Sequence, residues 1–196
     1  MSGICGIIDL TRQGRAEGEI VRRMAAVLRH RGPDSEGFYD APDVALAVRR
    51  LSIVDLKRGD QPLYNEDRTI TLVFDGEIYN YRELRDSLRR RNHILNTESD
   101  GETLIHLYEE YGLGLFSHLR GMYAFALWDS HIGRLLLAVD HVGMKPLSLH
   151  ERDGKLFFAS EAKALFADPS MLRRLNLAAL DAYLSFGYPL DASSLV

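Results

Sequence analysis

Ser2 stands directly behind Met1. An initiator methionine is normally removed before a residue this small, and Ser2 would then carry a hydroxyl and the free α-amine together. That amine titrates near pH ~8, so a neutral fraction exists at working pH and can act as a base. A nucleophile activated by its own terminal amine is an established arrangement. The plain alternative is a chain start with no role. Cys5, the one cysteine, lies in an apolar run and reads as a small hydrophobe.

Arg49 and Arg50 sit side by side in a β-patterned stretch. One must point inward or toward an end; an inward guanidinium is costly unless paired, and its fork suits a carboxylate. The ordinary reading is a salt bridge with Asp55 or Asp60. Asp75-Gly76-Glu77 follows the apolar run Ile70 to Phe74. A glycine turn there would aim backbone N–H groups at an anion, while Asn80 and Glu83 fit a capping box. Asp100, in Ser99-Asp100-Gly101-Glu102, is either a helix cap or a partner for an ammonium. Asp140 to Pro146 reads as a loop with turn residues. The histidines at 30, 93, 106, 118, 131, 141 and 150 show no ligand spacing, so no metal site is expected.

These residues need elements to hold them. Gly3 to Leu10 reads as a strand that would tie the chain start in place. Gly18 to Arg31 has the apolar spacing of an amphipathic helix, stopped by Gly32 and Pro33. Val44 to Asp55 and Ile70 to Phe74 read as strands; Tyr81 to Arg91 and Glu102 to Tyr111 read as helices. Met122–Asp129, Leu135–Asp140, Leu147–His150 and Leu156–Ser160 read as strands with short connections, hence antiparallel neighbours. Asp153-Gly154 is a hairpin turn signal. In the first of these, Tyr123, Phe125 and Leu127 line one face, and Met122, Ala124, Ala126 and Trp128 the other. A sheet apolar on both faces needs a second sheet on one side and helices on the other. The expectation is an α+β fold, a four-layer α-β-β-α sandwich of two antiparallel sheets.

The 196 residues suit one domain. With 24 Lys and Arg against 28 Asp and Glu, the net charge is −4, which gives no case for nucleic-acid binding. No apolar run approaches a membrane helix, and MSGICGIIDL lacks the basic start of a secretory signal. A cytoplasmic protein is expected, with no nucleic acid and no membrane as partner. Leu175 to Phe186 reads as a short apolar helix near a domain boundary.

The motifs MSGICGI, HRGPDSEG, RRLSIVDL, GDQPLYNED, FDGEIYNYREL, TESDGETL, LRGMYAFALWD, VDHVGMKPL and FFASEAKAL, in that order, resemble the N-terminal glutaminase domain of the asparagine synthetase family, a class II glutamine amidotransferase. The resemblance runs over essentially the whole chain. It implies an N-terminal-nucleophile hydrolase fold and hydrolysis of L-glutamine to glutamate and ammonia. It implies that residue 2 is the nucleophile position and that Arg50 binds the substrate α-carboxylate, with Leu51, Ile53 and Val54 of the same segment lining the substrate. Asp100 would bind the α-amine, and Asp75, Gly76 and Glu77 would position substrate and oxyanion. It also implies a 1–170 amidotransferase domain and a 171–196 start of a connection to a synthetase domain of the same chain. That further domain would use ATP and magnesium to amidate aspartate. No cofactor is expected in the domain itself, and a second copy of the chain is an expected partner.

Two departures from the family stand out. Ser2 replaces cysteine, and a hydroxyl is far less acidic than a thiol at pKa ~8.5. Asp75 replaces asparagine, and a carboxylate accepts hydrogen bonds where an amide donates one to the oxyanion. Loss of one such donor costs about 10²–10³ in kcat. With Met1 retained, moreover, the Ser2 amine is locked in a peptide bond. Weak or absent hydrolysis is therefore expected. The competing readings are a non-catalytic domain with a structural role, as in relatives resembling β-lactam synthetases, and a serine hydrolase acting on another amide.

Overall fold

The computed structural model describes residues 2–14, 16–56 and 58–188. The strands are β1 (Gly3–Asp9), β2 (Ser35–Asp40), β3 (Val44–Arg50), β4 (Leu63–Tyr64), β5 (Ile70–Ile78), β6 (Gly121–Asp129), β7 (Arg134–Val139), β8 (Ser148–Arg152) and β9 (Lys155–Ala159). The helices are α1 (Gly18–Val27), α2 (Tyr81–Arg90), α3 (Glu102–Tyr111), α4 (Ala162–Leu165) and α5 (Leu177–Phe186), with a 3-10 turn at Gly112–His118. One sheet runs β2-β3-β1-β9-β8 and the other β4-β5-β6-β7. Their pairings are all antiparallel.

Alternation along the strands generates the layers. Successive side chains point to opposite faces of a sheet. Ile4 and Ile8 of β1, Val44, Leu46 and Val48 of β3, Val73 of β5 and Ala124, Ala126 and Trp128 of β6 pack together between the two sheets. Cys5, Ile7, Ala45 and Ala47 face the other way, onto Ile20, Val21, Met24 and Ala25 of α1. Leu72, Phe74, Phe125 and Leu127 face Leu84 and Leu88 of α2 and Leu104 and Ile105 of α3. Three apolar interlayers mean four layers, α-β-β-α, as the two-faced pattern of β6 required. The small Ala124 and Ala126 let the sheets approach, and Gly6 is open to no larger residue, because a Cβ there would collide with the Phe158 ring and the Ala45 carbonyl.

Several element ends differ from the sequence pattern. β3 stops at Arg50 instead of running to Asp55. Beyond it the Leu51 and Ser52 amides donate to Ser2 Oγ (3.1 Å) and the Asp34 carboxylate (2.8 Å), and Asp55 takes φ 49°, which no strand can contain. β5 does not turn at Gly76. It continues to Ile78 because β6 pairs with it along its whole length, from Ile70↔Asp129 to Ile78↔Gly121. Gly76 serves close approach instead of a turn: a Cβ would strike the Met122 carbonyl and Tyr123 Cα. α1 ends at Val27, one turn before Arg31. Asn80 precedes α2 but makes no side-chain cap. Its amide donates to His118 O (2.9 Å) and accepts from Arg120 N (3.1 Å), tying α2 to the start of β6. Of the 171–196 segment, α5 is present with Asn176 as its N-cap, accepting from Ala179 N (3.2 Å). Residues 189–196 lie outside the described residues.

Candidate functional site

Strand parity also brings the chemistry together. Ser2, Arg50, Asp75, Glu77 and Met122 share the parity of the inter-sheet residues on β1, β3, β5 and β6, but each lies at or just beyond the same end of its strand. The apolar layer therefore gives way there to a polar pocket. It is lined by Ser2, Arg50, Leu51, Ile53, Val54, Asp75, Gly76, Glu77 and Asp100, all nine of the residues singled out in the sequence. Gly59, Gln61, Phe74, Ser99, Met122 and Lys145 complete the wall.

Ser2 is held from both sides. The Leu51 N–H donates to its Oγ (3.1 Å), and Arg31 Nε donates to its carbonyl (2.7 Å). Next to it β1 is fixed by Ser160, whose Oγ accepts from Ile4 N and whose N–H donates to Ile4 O, both at 2.9 Å. Cys5 points to the opposite face, fully buried, and burial pushes its thiol well above the usual range. A thiol held protonated is no nucleophile.

Arg50 is 5% exposed. Its Nη1 donates to Asp60 (3.0 Å), and its Nη2 to the carbonyls of Val54 (3.0 Å) and Asp55 (2.7 Å). The salt bridge with Asp60 allowed by the sequence is thus formed, though the Asp60 side chain is 71% exposed. A buried guanidinium with an exposed carboxylate on one nitrogen can present itself to a second carboxylate. Gly59 makes the loop possible, since a Cβ there would press on Arg50 Nη2 and the Asp55 carbonyl. The neighbouring Arg49 turns to the helix side, donating to Ala25 O and pairing with Glu36.

Asp100 is buried ahead of α3 and is not its side-chain cap. One carboxylate oxygen accepts from Ile78 N (2.8 Å). Burial raises its pKa, opposed by backbone N–H bonds, and Glu77 nearby adds to the rise. A carboxyl in that position gains most from a cation brought into the pocket.

Asp75 is 2% exposed and doubly paired. Arg31 Nη2 lies 2.9 Å from Oδ2, and Lys145 Nζ 3.5 Å from Oδ1. Its charge is therefore matched by two cations, but it remains an acceptor only. Next to it, the backbone of Gly76 faces away from β6. The opposite residue, Tyr123, has its N–H on Asp140 (3.2 Å) and its carbonyl on Asp140 N (2.8 Å), both toward the β7 side. Two residues earlier, Phe74 exchanges both backbone bonds with the Gln61 side chain (2.7 and 3.0 Å). By the alternation of an antiparallel ladder, the Gly76 N–H points to the same open side as that of Phe74, into the pocket wall.

Three residues outside the sequence candidates organise this site. Arg31, which looked like the end of a helix, joins Ser2 O, Asp75 and Glu161 (3.2 Å). Its only sequence signal was its place in HRGPDSEG. Lys145, read as part of a turn, is 3% exposed. The Asp140 carboxylate accepts from the backbone of Val142, Met144 and Lys145 (3.0–3.1 Å), folding the loop that delivers it. Gln61 closes the β5 edge, a role that no local pattern announced.

The chain matches the family model described as a glutamine amidotransferase domain over residues 1–196. It is 43% identical over 178 residues to "Asparagine synthetase [glutamine-hydrolyzing] 2" of Bacillus subtilis, covering 90% of this chain and 24% of that protein. It is 38% identical over 197 residues to "Asparagine synthetase [glutamine-hydrolyzing] 1" of the same organism, covering 31% of it. A plant relative, "Asparagine synthetase [glutamine-hydrolyzing] 3" of Arabidopsis thaliana, is 43% identical over 86% of this chain and 29% of its own. The chain thus spans about a quarter to a third of the length of these relatives. Among solved structures, the glutamine phosphoribosylpyrophosphate amidotransferase from B. subtilis superposes with a TM-score of 0.71 at 21% identity, over 89% of this chain and 45% of that one. That likeness shows a shared fold, the two-sheet sandwich described above. The chain belongs to the glutamine amidotransferase domain family, in the form carried by glutamine-hydrolysing asparagine synthetases.

Proposed function

We propose that this domain binds L-glutamine by its two charged ends and hydrolyses it slowly to glutamate and ammonia, as the glutaminase part of an asparagine synthetase-like enzyme. The observation that carries the reading is one pocket holding Ser2, Arg50, Gly76 and Asp100 together. Arg50 takes the α-carboxylate as a charge-assisted pair. Asp100, which lines the pocket, takes the α-ammonium. The side chain then extends toward Ser2. Ser2 Oγ attacks the carboxamide carbon while the chain's own α-amine, free once Met1 is removed, accepts the hydroxyl proton. The Gly76 N–H supports the developing oxyanion. The C–N bond breaks, ammonia leaves with the returned proton, and water hydrolyses the remaining ester to glutamate.

Each departure from the family slows a defined step. Ser2 offers a weaker nucleophile than cysteine. Asp75 offers no donor, so one oxyanion bond is missing. Arg31 and Lys145 cancel the charge of Asp75 but leave it an acceptor.

The ATP and magnesium of an amidation step belong, on this proposal, to a separate synthetase domain acting on aspartate. The pocket itself suits an amino-acid zwitterion, because it offers Arg50 to a carboxylate and Glu77 and Asp100 to an ammonium.

The test is a chain shown by intact mass to start at Ser2. Calorimetry with L-glutamine should give saturable heat, lost in Arg50→Ala. Ammonia release should be slow in the parent and faster in Ser2→Cys, in Asp75→Asn and most of all in the double variant. No heat with glutamine would favour the structural reading. A double variant that binds glutamine yet stays inactive would overturn this account of the slow chemistry.

A further inference from the structure

Histidines scattered in the sequence meet on the helical side of the β4–β7 sheet. His93, in the segment after α2, faces His106 and Glu109 of α3. His106 Nδ1 lies 3.2 Å from His93 Nδ1 and 2.9 Å from Glu109 Oε2, and His93 Nδ1 lies 3.5 Å from the same oxygen. These are three donor atoms in a nearly equilateral triangle. An ion about 2.0–2.1 Å from each of its ligands in a tetrahedral array holds them about 3.3 Å apart. We propose that His93, His106 and Glu109 form a binding site for a divalent transition ion of the zinc class, separate from the glutamine pocket.

The surroundings are those of ligands held in advance. His93 Nε2 lies 2.9 Å from Glu110 Oε1, so in a neutral ring that donates there Nδ1 is the nitrogen able to ligate, and Arg91 holds the other Glu110 oxygen (3.0 Å). A histidine oriented by a carboxylate through its far nitrogen is the usual support of a metal ligand. Glu109 Oε1 accepts from Asn65 Nδ2 (3.0 Å), and Asn65 is itself fixed by accepting from Ile70 N (2.9 Å). His106 is 1% exposed, its Nδ1 is the ring nitrogen turned to His93 and Glu109, and its Nε2 has no partner among the described residues; an ion on Nδ1 would displace the ring proton to that Nε2. The His93 and Glu109 side chains are partly exposed, leaving a side open to a fourth, solvent ligand. Two imidazoles and a carboxylate suit zinc, cobalt or nickel over calcium or magnesium, which prefer all-oxygen shells.

The experiment uses the tag-free chain stripped with chelator. Zinc alone is titrated by calorimetry, and cobalt alone is followed by visible absorption. One ion per chain is expected, with the intense visible bands of four-coordinate cobalt. His93→Ala and Glu109→Gln should abolish the one-to-one binding while keeping the circular dichroism spectrum of the parent, and Glu109→Gln keeps the test open should His93→Ala fail to fold. Glu110→Gln should weaken affinity about 10–100-fold. His150→Ala, on β8, should change nothing. No saturable binding, a pale six-coordinate cobalt spectrum, or unchanged affinity in His93→Ala would each overturn the proposal. None of these outcomes bears on glutamine binding, which is read separately in the same chains.

Discussion

Three side chains decide what the pocket can do. Asp75 is where a single atom exchange has the largest consequence. An amide nitrogen in place of one carboxylate oxygen restores a donor to the oxyanion, and one such donor is worth about 10²–10³ in kcat. Asp75→Asn should therefore raise the rate of ammonia release by that order with little change in KM, as steady-state kinetics would show. Asp100 carries the opposite trade. Burial raises its pKa, so the fold favours the protonated form. The stabilising effect of that proton is complete below the unfolded value of about 3.9 and is lost as pH rises through the folded pKa. At neutral pH the group therefore costs stability and awaits a cation. Asp100→Asn should raise the thermal midpoint at pH 7 and remove glutamine binding; a lowered midpoint with binding kept would contradict both roles. The sequence required one of Arg49 and Arg50 to point inward or toward an end, and the family resemblance singled out Arg50. The centrality of Arg31 was not, since its three partners Ser2, Asp75 and Glu161 are 29, 44 and 130 residues away.

At the level of elements, the site rests on how loops are pinned to strand ends. The loop after β7 is held by one carboxylate, Asp140, which accepts from four backbone N–H groups. Burial pushes its pKa up, but those bonds outweigh burial and leave it below the ordinary range. Its contribution is thus present above an unfolded pKa of about 3.9 and is lost as pH falls through the lower folded value. Asp140→Asn should destabilise the chain by about 1–3 kcal/mol in urea unfolding, because buried N–H groups lose their acceptor. It should also impair glutamine hydrolysis by displacing Lys145. Glu161 behaves similarly beside Arg31. Burial opposes its ionisation, yet Lys163, His30 and Arg31 bring its pKa down to about 2. Glu161→Gln should flatten the loss of stability between pH 4 and pH 2 relative to the parent, as acid unfolding monitored by circular dichroism would report. The strand and helix cores were legible from period. Their ends were not: β3 ends where Ser2 and Asp34 capture its next amides, and β5 runs on because β6 pairs with it. Both are contacts with distant chain.

Across the whole molecule, the inter-sheet layer sets how closely the two sheets meet and thus how wide the pocket at its end can be. Phe158 fills the gap opposite Gly6 and is fully buried. Phe158→Ala should cost about 3–5 kcal/mol in chemical denaturation, the usual penalty for a large aromatic cavity. The four layers themselves were legible in the sequence, because β6 is apolar on both faces and the short connections from β6 through β9 call for antiparallel neighbours. The order β2-β3-β1-β9-β8 was not, because β1 pairs with β9 across some 150 residues.

The sequence by itself determined most of the strands and helices, the two-faced pattern of β6, and the chemical weakness of Ser2 as a nucleophile, since these depend on residue type and short period alone. Only the tertiary structure decided that Arg31 and Lys145 neutralise Asp75, that the Gly76 N–H opens toward the pocket, and that His93 meets His106 and Glu109. Each of those depends on which strand or helix lies beside another. That is settled by the packing of three apolar interlayers together, and no local stretch of chain carries it.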